Sequence, residues 1–129
     1  MHAFLLIGLG GIVGANLRFA ISGWAAGRFG TGFPYGTLIA NLAGCFIIGL
    51  FLGIVTARFP AETDARLLVA TGFLGAETTF STFAYESVIL IREGTYGAAA
   101  KNIFGSTVLG LICTAIGLAL ADVVVGGAW

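Results

Sequence analysis

Thr71-Gly72-Phe73-Leu74-Gly75-Ala76-Glu77-Thr78-Thr79-Phe80-Ser81-Thr82-Phe83 sets hydroxyls and phenyl rings inside a stretch otherwise apolar enough to cross a bilayer. Glycine and threonine are poor helix formers, so residues 71–79 predict a local break at mid-membrane. A break frees backbone carbonyls, which in lipid must be satisfied. A small hard cation is one way to do so, and a kink relieved by threonine side chains is another. Hydroxyls at membrane depth cost free energy unless they find partners or line a wet path. Thr78-Thr79-Phe80-Ser81-Thr82-Phe83 is therefore a candidate permeation or binding site.

The surrounding chain fits that reading. Of its 129 residues 58% are hydrophobic and 9% charged, and the mean hydropathy is +1.03, outside the soluble globular range. This describes an integral membrane protein. The 21 glycines suit close helix packing in lipid, and the apolar stretches are continuous instead of alternating with period two, which argues against a β-barrel. The first apolar run begins at Ala3 without a basic segment ahead of it and outlasts a signal-peptide core, so it is expected to be retained. Cys45 and Cys113 fall inside apolar spans and read as small packing residues, with no disulfide inferred.

With about 20 apolar residues per crossing, residues 1–129 form a single all-α domain of four transmembrane helices, near 3–26, 36–57, 66–92 and 98–125, the third of them broken. Arg28-Phe29-Gly30-Thr31-Gly32-Phe33-Pro34 is a glycine-rich loop, with Pro34 just ahead of the second helix. Arg58-Phe59-Pro60-Ala61-Glu62-Thr63-Asp64 is a charged connector with Asp64 as the expected N-cap. Glu93-Gly94-Thr95-Tyr96-Gly97 makes the last turn, and the halves share no repeat. Arg58 and Arg66 lie on one side against Arg28, Arg92 and Lys101 on the other, so the charge bias that fixes orientation is nearly absent. A chain this small does not easily enclose a selective path alone, which points to a homodimer, and the weak bias permits an antiparallel one. Gly10 with Gly14, and Gly49 with Gly53, offer small faces either for packing within one subunit or for contact between two.

At 100° per residue Phe80 and Phe83 lie about 60° apart, with Thr79, Thr82 and Glu86 in a neighbouring sector, so one face is aromatic and polar together. A phenyl ring has a positive edge, and rings turned edge-on help to solvate a small anion without a full charge that would trap it. Asn41, alone in the second helix, has an amide able to donate to an anion or brace a neighbouring helix. Asn102, Ser106, Gly110 and Thr114 follow an i, i+4 row, a polar seam equally suited to interhelical hydrogen bonding. Arg18 either snorkels or faces a vestibule, attracting anions or anchoring a carboxylate. Glu86 must be paired, protonated or wet.

Together these residues resemble the CrcB or Fluc family of small fluoride channels over essentially the whole chain. The resemblance is carried by Gly10-Gly11-Ile12-Val13-Gly14-Ala15 leading to Arg18-Phe19, by Pro34-Tyr35-Gly36-Thr37-Leu38 leading to Asn41 and Gly44, and by Gly72-Phe73-Leu74-Gly75 leading to Thr78-Thr79-Phe80-Ser81-Thr82-Phe83 with Glu86. It implies an antiparallel, dual-topology homodimer in the cell inner or plasma membrane, with two narrow pores that conduct fluoride passively and clear it from the cytoplasm. By the same comparison Phe80 and Phe83 are the rings that contact fluoride, Asn41 is the pore-lining amide, and Asn102, Ser106, Gly110 and Thr114 are the polar track. Ser81, Thr82, Thr79 and Glu86 join the pathway, and Arg18 the vestibule. Carbonyls of Gly75 and Thr78 from each subunit would hold a central sodium ion, structural and not transported. The expected partners are fluoride, a second copy and membrane lipid, with no nucleic acid. Two departures stand out. Ala76-Glu77 stands where the family often has a second glycine and an apolar residue, and puts a carboxylate beside the sodium site. There Glu77 either offsets the cation's charge or reaches a vestibule, the second reading being favoured because a dry extra anion near a fluoride path would repel the ion. Gly110 removes a hydroxyl from the seam, leaving water or neighbours to complete it.

The rival from another class is a proton-coupled small multidrug exporter, since such transporters are also short four-helix dual-topology dimers. It needs an intramembrane carboxylate, and the first two helices contain none, which leaves Glu77 and Glu86. A third reading is an assembly subunit whose polar residues only hold helices together. No covalent chemistry is required by the leading one.

Overall fold

The computed structural model describes residues 1–127, and among them every regular element is helical. Helix α1 spans His2–Phe29 and α2 Tyr35–Arg58. The third crossing has two arms. The first, α3, covers residues 63–77 and comprises an α-helical turn Thr63–Ala65, a π-helical stretch Arg66–Leu74 and a final turn Gly75–Glu77. The second, α4, spans Phe80–Arg92, and α5 spans Tyr96–Val125. Three of these helices, α1, α2 and α5, are each long and apolar enough to cross a membrane; the remaining crossing falls to the two arms together. The protein is a multi-pass membrane protein.

The helix ends follow local chemistry. Gly30 and Gly126 have φ of 79° and 87°, a region that L side chains seldom adopt, and their N–H groups close α1 and α5 on Ala26 O and Asp122 O. Pro34 precedes α2 as expected. The expectation for Asp64 is corrected: Glu62 stands at the N-cap without a side-chain bond, and Asp64 lies inside the first turn of α3, 3.6 Å from His2 Nδ1. Arg58 Nη2 donates to Val124 O at 2.7 Å. These contacts gather the start of α1, the α2–α3 connector and the end of α5 at one end of the bundle, as four crossings require.

Small residues set the packing. In lipid there is no hydrophobic drive between helices, so close van der Waals approach must supply the attraction. The most extensive interface joins α2 to α5. A Cβ on Gly49 would strike Thr114 O, and one on Gly117 would strike Phe46 O and come within 2.8 Å of Leu50 N. The α1–α3 interface has the same character, for Gly10 meets Leu68 O and Phe73 N, and Gly14 meets Phe73 O. Both glycine pairs read from the sequence therefore serve packing within one subunit. Ala25, Ala40 and Ala121 are fully buried, while Phe4, Ile12, Phe19, Phe104, Leu111 and Val123 are exposed on the outside. A small-residue interior under a large apolar exterior is the arrangement expected of a protein solvated by lipid.

The break in the third crossing lies at Thr78 and Thr79, whose backbones are extended (ψ 159° and 116°). Side chains repair it. Thr78 Oγ1 donates back to Leu74 O at 2.8 Å, and Thr79 Oγ1 accepts the Thr82 N–H at 3.2 Å as the N-cap of α4.

Candidate functional site

The break opens onto a groove of about 390 Å³ lined by Asn41, Cys45, Thr78, Thr79, Phe80, Phe83 and Ser106, among others. Three elements meet there: α2, the α3–α4 junction and α5. Asn41 is the link. Its Oδ1 accepts the Thr79 N–H at 2.7 Å and its Nδ2 donates to Thr79 O at 3.2 Å. One side-chain amide thus takes both backbone groups of the residue that leaves the helix, and the second Nδ2 hydrogen is left over for another acceptor.

Across the break, Phe80 and Phe83 stand one turn apart on α4, their ring centroids 5.6 Å apart and their planes inclined at 49°. Phe80 is 79% exposed on the isolated protomer, so its ring projects beyond the groove. Thr79, Ser81 and Thr82 form a hydroxyl cluster at the foot of α4, with Thr79 Oγ1 donating to Thr82 Oγ1 at 3.0 Å and lying 3.3 Å from Ser81 Oγ. Among the described residues, no backbone N–H of the turn bonds to the carbonyl of Gly75 or Thr78. The carbonyls of Ala76 and Glu77 likewise accept no backbone N–H from α4, so the break frees a run of carbonyls that includes those of Gly75 and Thr78.

The polar row of α5 divides. Ser106 lines the groove. Asn102 is completely buried between α5 and α4, where it belongs to a relay: Ser106 Oγ donates to Asn102 Oδ1 at 3.4 Å, Asn102 Nδ2 to Ser87 Oγ at 3.0 Å, and Ser87 Oγ to Phe83 O at 2.7 Å. The row thereby reaches the residue carrying one of the rings. Thr114 Oγ1 lies 3.1 Å from both Cys45 O and Gly110 O, facing α2 and outside the groove lining. Glu86 sits apart from the groove, in a recess of about 360 Å³ at the end of the bundle near Tyr35 and Glu93, where its Oε1 accepts from Thr37 Oγ1 at 2.8 Å. Arg18 lines neither space, and its Nε is buried.

Glu77 is corrected. Read as reaching a vestibule, it is 1% exposed, with Oε2 turned toward Gly44 of α2. The physical reason is that Gly44 has no side chain, and the space this leaves on α2 takes the carboxylate, away from the groove lining.

Three residues gain roles the sequence did not give them. Thr37 holds Glu86, and its signal was only its place in the motif after Pro34. Ser87 completes the relay. Cys45, read as packing, lines the groove, and a Cβ on Gly110 would come within 3.3 Å of its Sγ. The thiol stands where the polar row lacks a side chain.

The sequence matches a family described as CrcB-like protein, Camphor Resistance (CrcB), over residues 5–118. A Chloroflexus aurantiacus protein named fluoride-specific ion channel FluC is 49% identical over 120 residues, 93% of this chain and 95% of its own length. Proteins of the same name from Maridesulfovibrio salexigens and from a Roseiflexus species are 42% and 43% identical, covering 97% and 92% of this chain and 99% and 96% of their own lengths.

Proposed function

Since this chain belongs to the CrcB family, we propose that it is a fluoride-specific ion channel, a passive conduit and not an enzyme. The observation that carries the reading is the meeting of Phe80, Phe83, Asn41 and Ser106 in one groove at a helix break, in a chain 49% identical to a protein named for that ion. Fluoride surrenders water only to strong, close donors. The spare Asn41 N–H, the hydroxyls of Thr79, Ser81, Thr82 and Ser106, and the positive edges of the two rings supply them in succession without a fixed cation that would trap the ion. The relay through Asn102 holds the Phe83 backbone in place. Thr114 continues the row toward α2, and Glu86 with Thr37 forms the polar recess at the bundle end. No carboxylate lines the groove among the described residues, which counts against a proton-coupled exchange site there.

In the proposed assembly two copies insert in opposite orientations and form two pores. The projecting Phe80 ring supports it, since a ring 79% exposed on one protomer has surface for a second copy to cover. The free carbonyls of Gly75 and Thr78 suit a hard cation, and two copies would present four such oxygens to a sodium ion. Such an ion, when bound, supplies positive charge that ties the two breaks together. The test is passive release of fluoride from liposomes containing the purified protein, recorded with a fluoride electrode.

A further inference from the structure

Helices α2 and α5 lie side by side and run the same way, for Cys45 stands at Gly110, Gly49 at Thr114 and Gly53 at Ala121. Along that part of the seam glycine lets the two helices touch. Toward the start of both helices the seam opens. Phe33, Tyr35 and Leu38 on one side and Lys101, Gly105 and Leu109 on the other line a second groove, of about 710 Å³. None of them lines the groove at the helix break.

Gly97, which also lines this second groove, Lys101, Gly105 and Leu109 are spaced four apart and form one row along α5. The two glycines differ from those of the seam, since a Cβ at either would meet nothing within 4 Å. Glycine weakens a helix, and at these places no neighbouring helix packs against it among the described residues. What its small size does here is keep the groove open on both sides of Lys101.

Depth and charge identify the occupant. Lys101 lies five residues into α5, about 8 Å from its start. The exposed rings of Tyr35 and Tyr96 stand at the same end, where tyrosines mark the level of lipid headgroups. From Lys101 to Leu109 the row descends about 12 Å, most of the depth of one leaflet, which is about 15 Å. Lys101 is exposed, and the one ion pair among the described residues joins His2 to Asp64. No carboxylate lines this groove among the described residues, and Glu86 and Glu93 face the other recess. Lys101 therefore snorkels toward the headgroups with its counter-charge still to come from outside the chain. The second copy of the proposed assembly covers Phe80 at the helix break. A groove that begins at headgroup level, with a cation at its mouth and apolar walls below, matches a phosphate joined to an acyl chain.

We propose that this groove seats an acyl chain of an anionic phospholipid whose phosphate pairs with Lys101. A zwitterionic lipid brings an ammonium of its own to the same place, so the lysine favours the anionic one. The site requires a bilayer and not a conducted ion, so it stands apart from the channel reading.

The test is native mass spectrometry of the purified protein titrated with phosphatidylglycerol or with phosphatidylcholine of identical acyl chains. The unchanged protein and Lys101→Arg are expected to bind phosphatidylglycerol about fivefold more tightly than phosphatidylcholine. Lys101→Gln should lose that preference. Gly105→Leu, which fills the groove without striking a neighbour at its Cβ, should weaken binding of both lipids. A preference for phosphatidylglycerol that survives in Lys101→Gln, or unchanged lipid binding by Gly105→Leu, would overturn the proposal. So would a dimer that dissociates in Gly105→Leu while lipid binding stays intact, since that result assigns the groove to a second copy. Fluoride release enters none of these readouts, so their failure is distinguishable from failure of the channel reading.

Discussion

The amide of Asn41 and the backbone of Thr79 exchange two hydrogen bonds, Thr79 N–H to Oδ1 at 2.7 Å and Nδ2 to Thr79 O at 3.2 Å. A helix broken inside a membrane must find partners for the groups it frees, and here one side chain from α2 serves both groups of one residue. The element that opens the groove is therefore held open by a residue that also lines it.

Replacing Asn41 separates those duties. Asn41→Ala strands both Thr79 groups and is expected to cost about 1–3 kcal/mol, read as a lower unfolding midpoint in detergent along with lost fluoride release. Asn41→Asp keeps the acceptor for the Thr79 N–H but loses the donor, and should fall between the two in stability.

The rings are a different case, since Phe80 is largely exposed and Phe83 packs on it at the groove. Phe80→Ala or Phe83→Ala is expected to abolish fluoride release while leaving the proposed dimer assembled by size-exclusion chromatography. Unchanged release would reject the assigned role.

Cys45 offers a chemical probe. Its thiol lines the groove beside the Gly110 gap, whereas Cys113 does not line it. A methanethiosulfonate reagent should block fluoride release by the unchanged protein and by Cys113→Ala, and leave Cys45→Ala conducting. Block that persists in Cys45→Ala would place the reactive thiol elsewhere.

Glycine positions divide by what stands opposite. Gly117→Leu drives a side chain into the backbone of α2 near Phe46 and Leu50 and is expected to cost about 1–3 kcal/mol or more. Gly8, with nothing within 4 Å of a Cβ, should accept leucine within about 0.5 kcal/mol. Thermal unfolding of the two variants side by side checks both.

Much of the fold was legible because bilayer thickness turns composition into helix count, and because Gly75 followed by Thr78-Thr79 is a poor continuation of a helix. The site was legible where neighbours in sequence are neighbours in space, as for Phe80 and Phe83. It was not legible where the partner is distant in the chain. Gly10, Gly14, Gly49 and Gly53 carry the same small-residue signal whether they meet their own subunit or another, and only the contacts with Phe73, Thr114 and Ala121 decide it. The turn of Glu77 into the interior depends on the space left by Gly44 on α2, a partner 33 positions away in the chain that no local pattern announces. The Cys45 thiol beside Gly110 joins positions on α2 and α5 that no local pattern pairs.

Passive release of fluoride and of chloride, measured under identical gradients from liposomes holding the purified protein, tests the central claim most directly. A fluoride-specific channel releases fluoride and retains chloride. Equal passage of both ions, or no passage of fluoride, would contradict it.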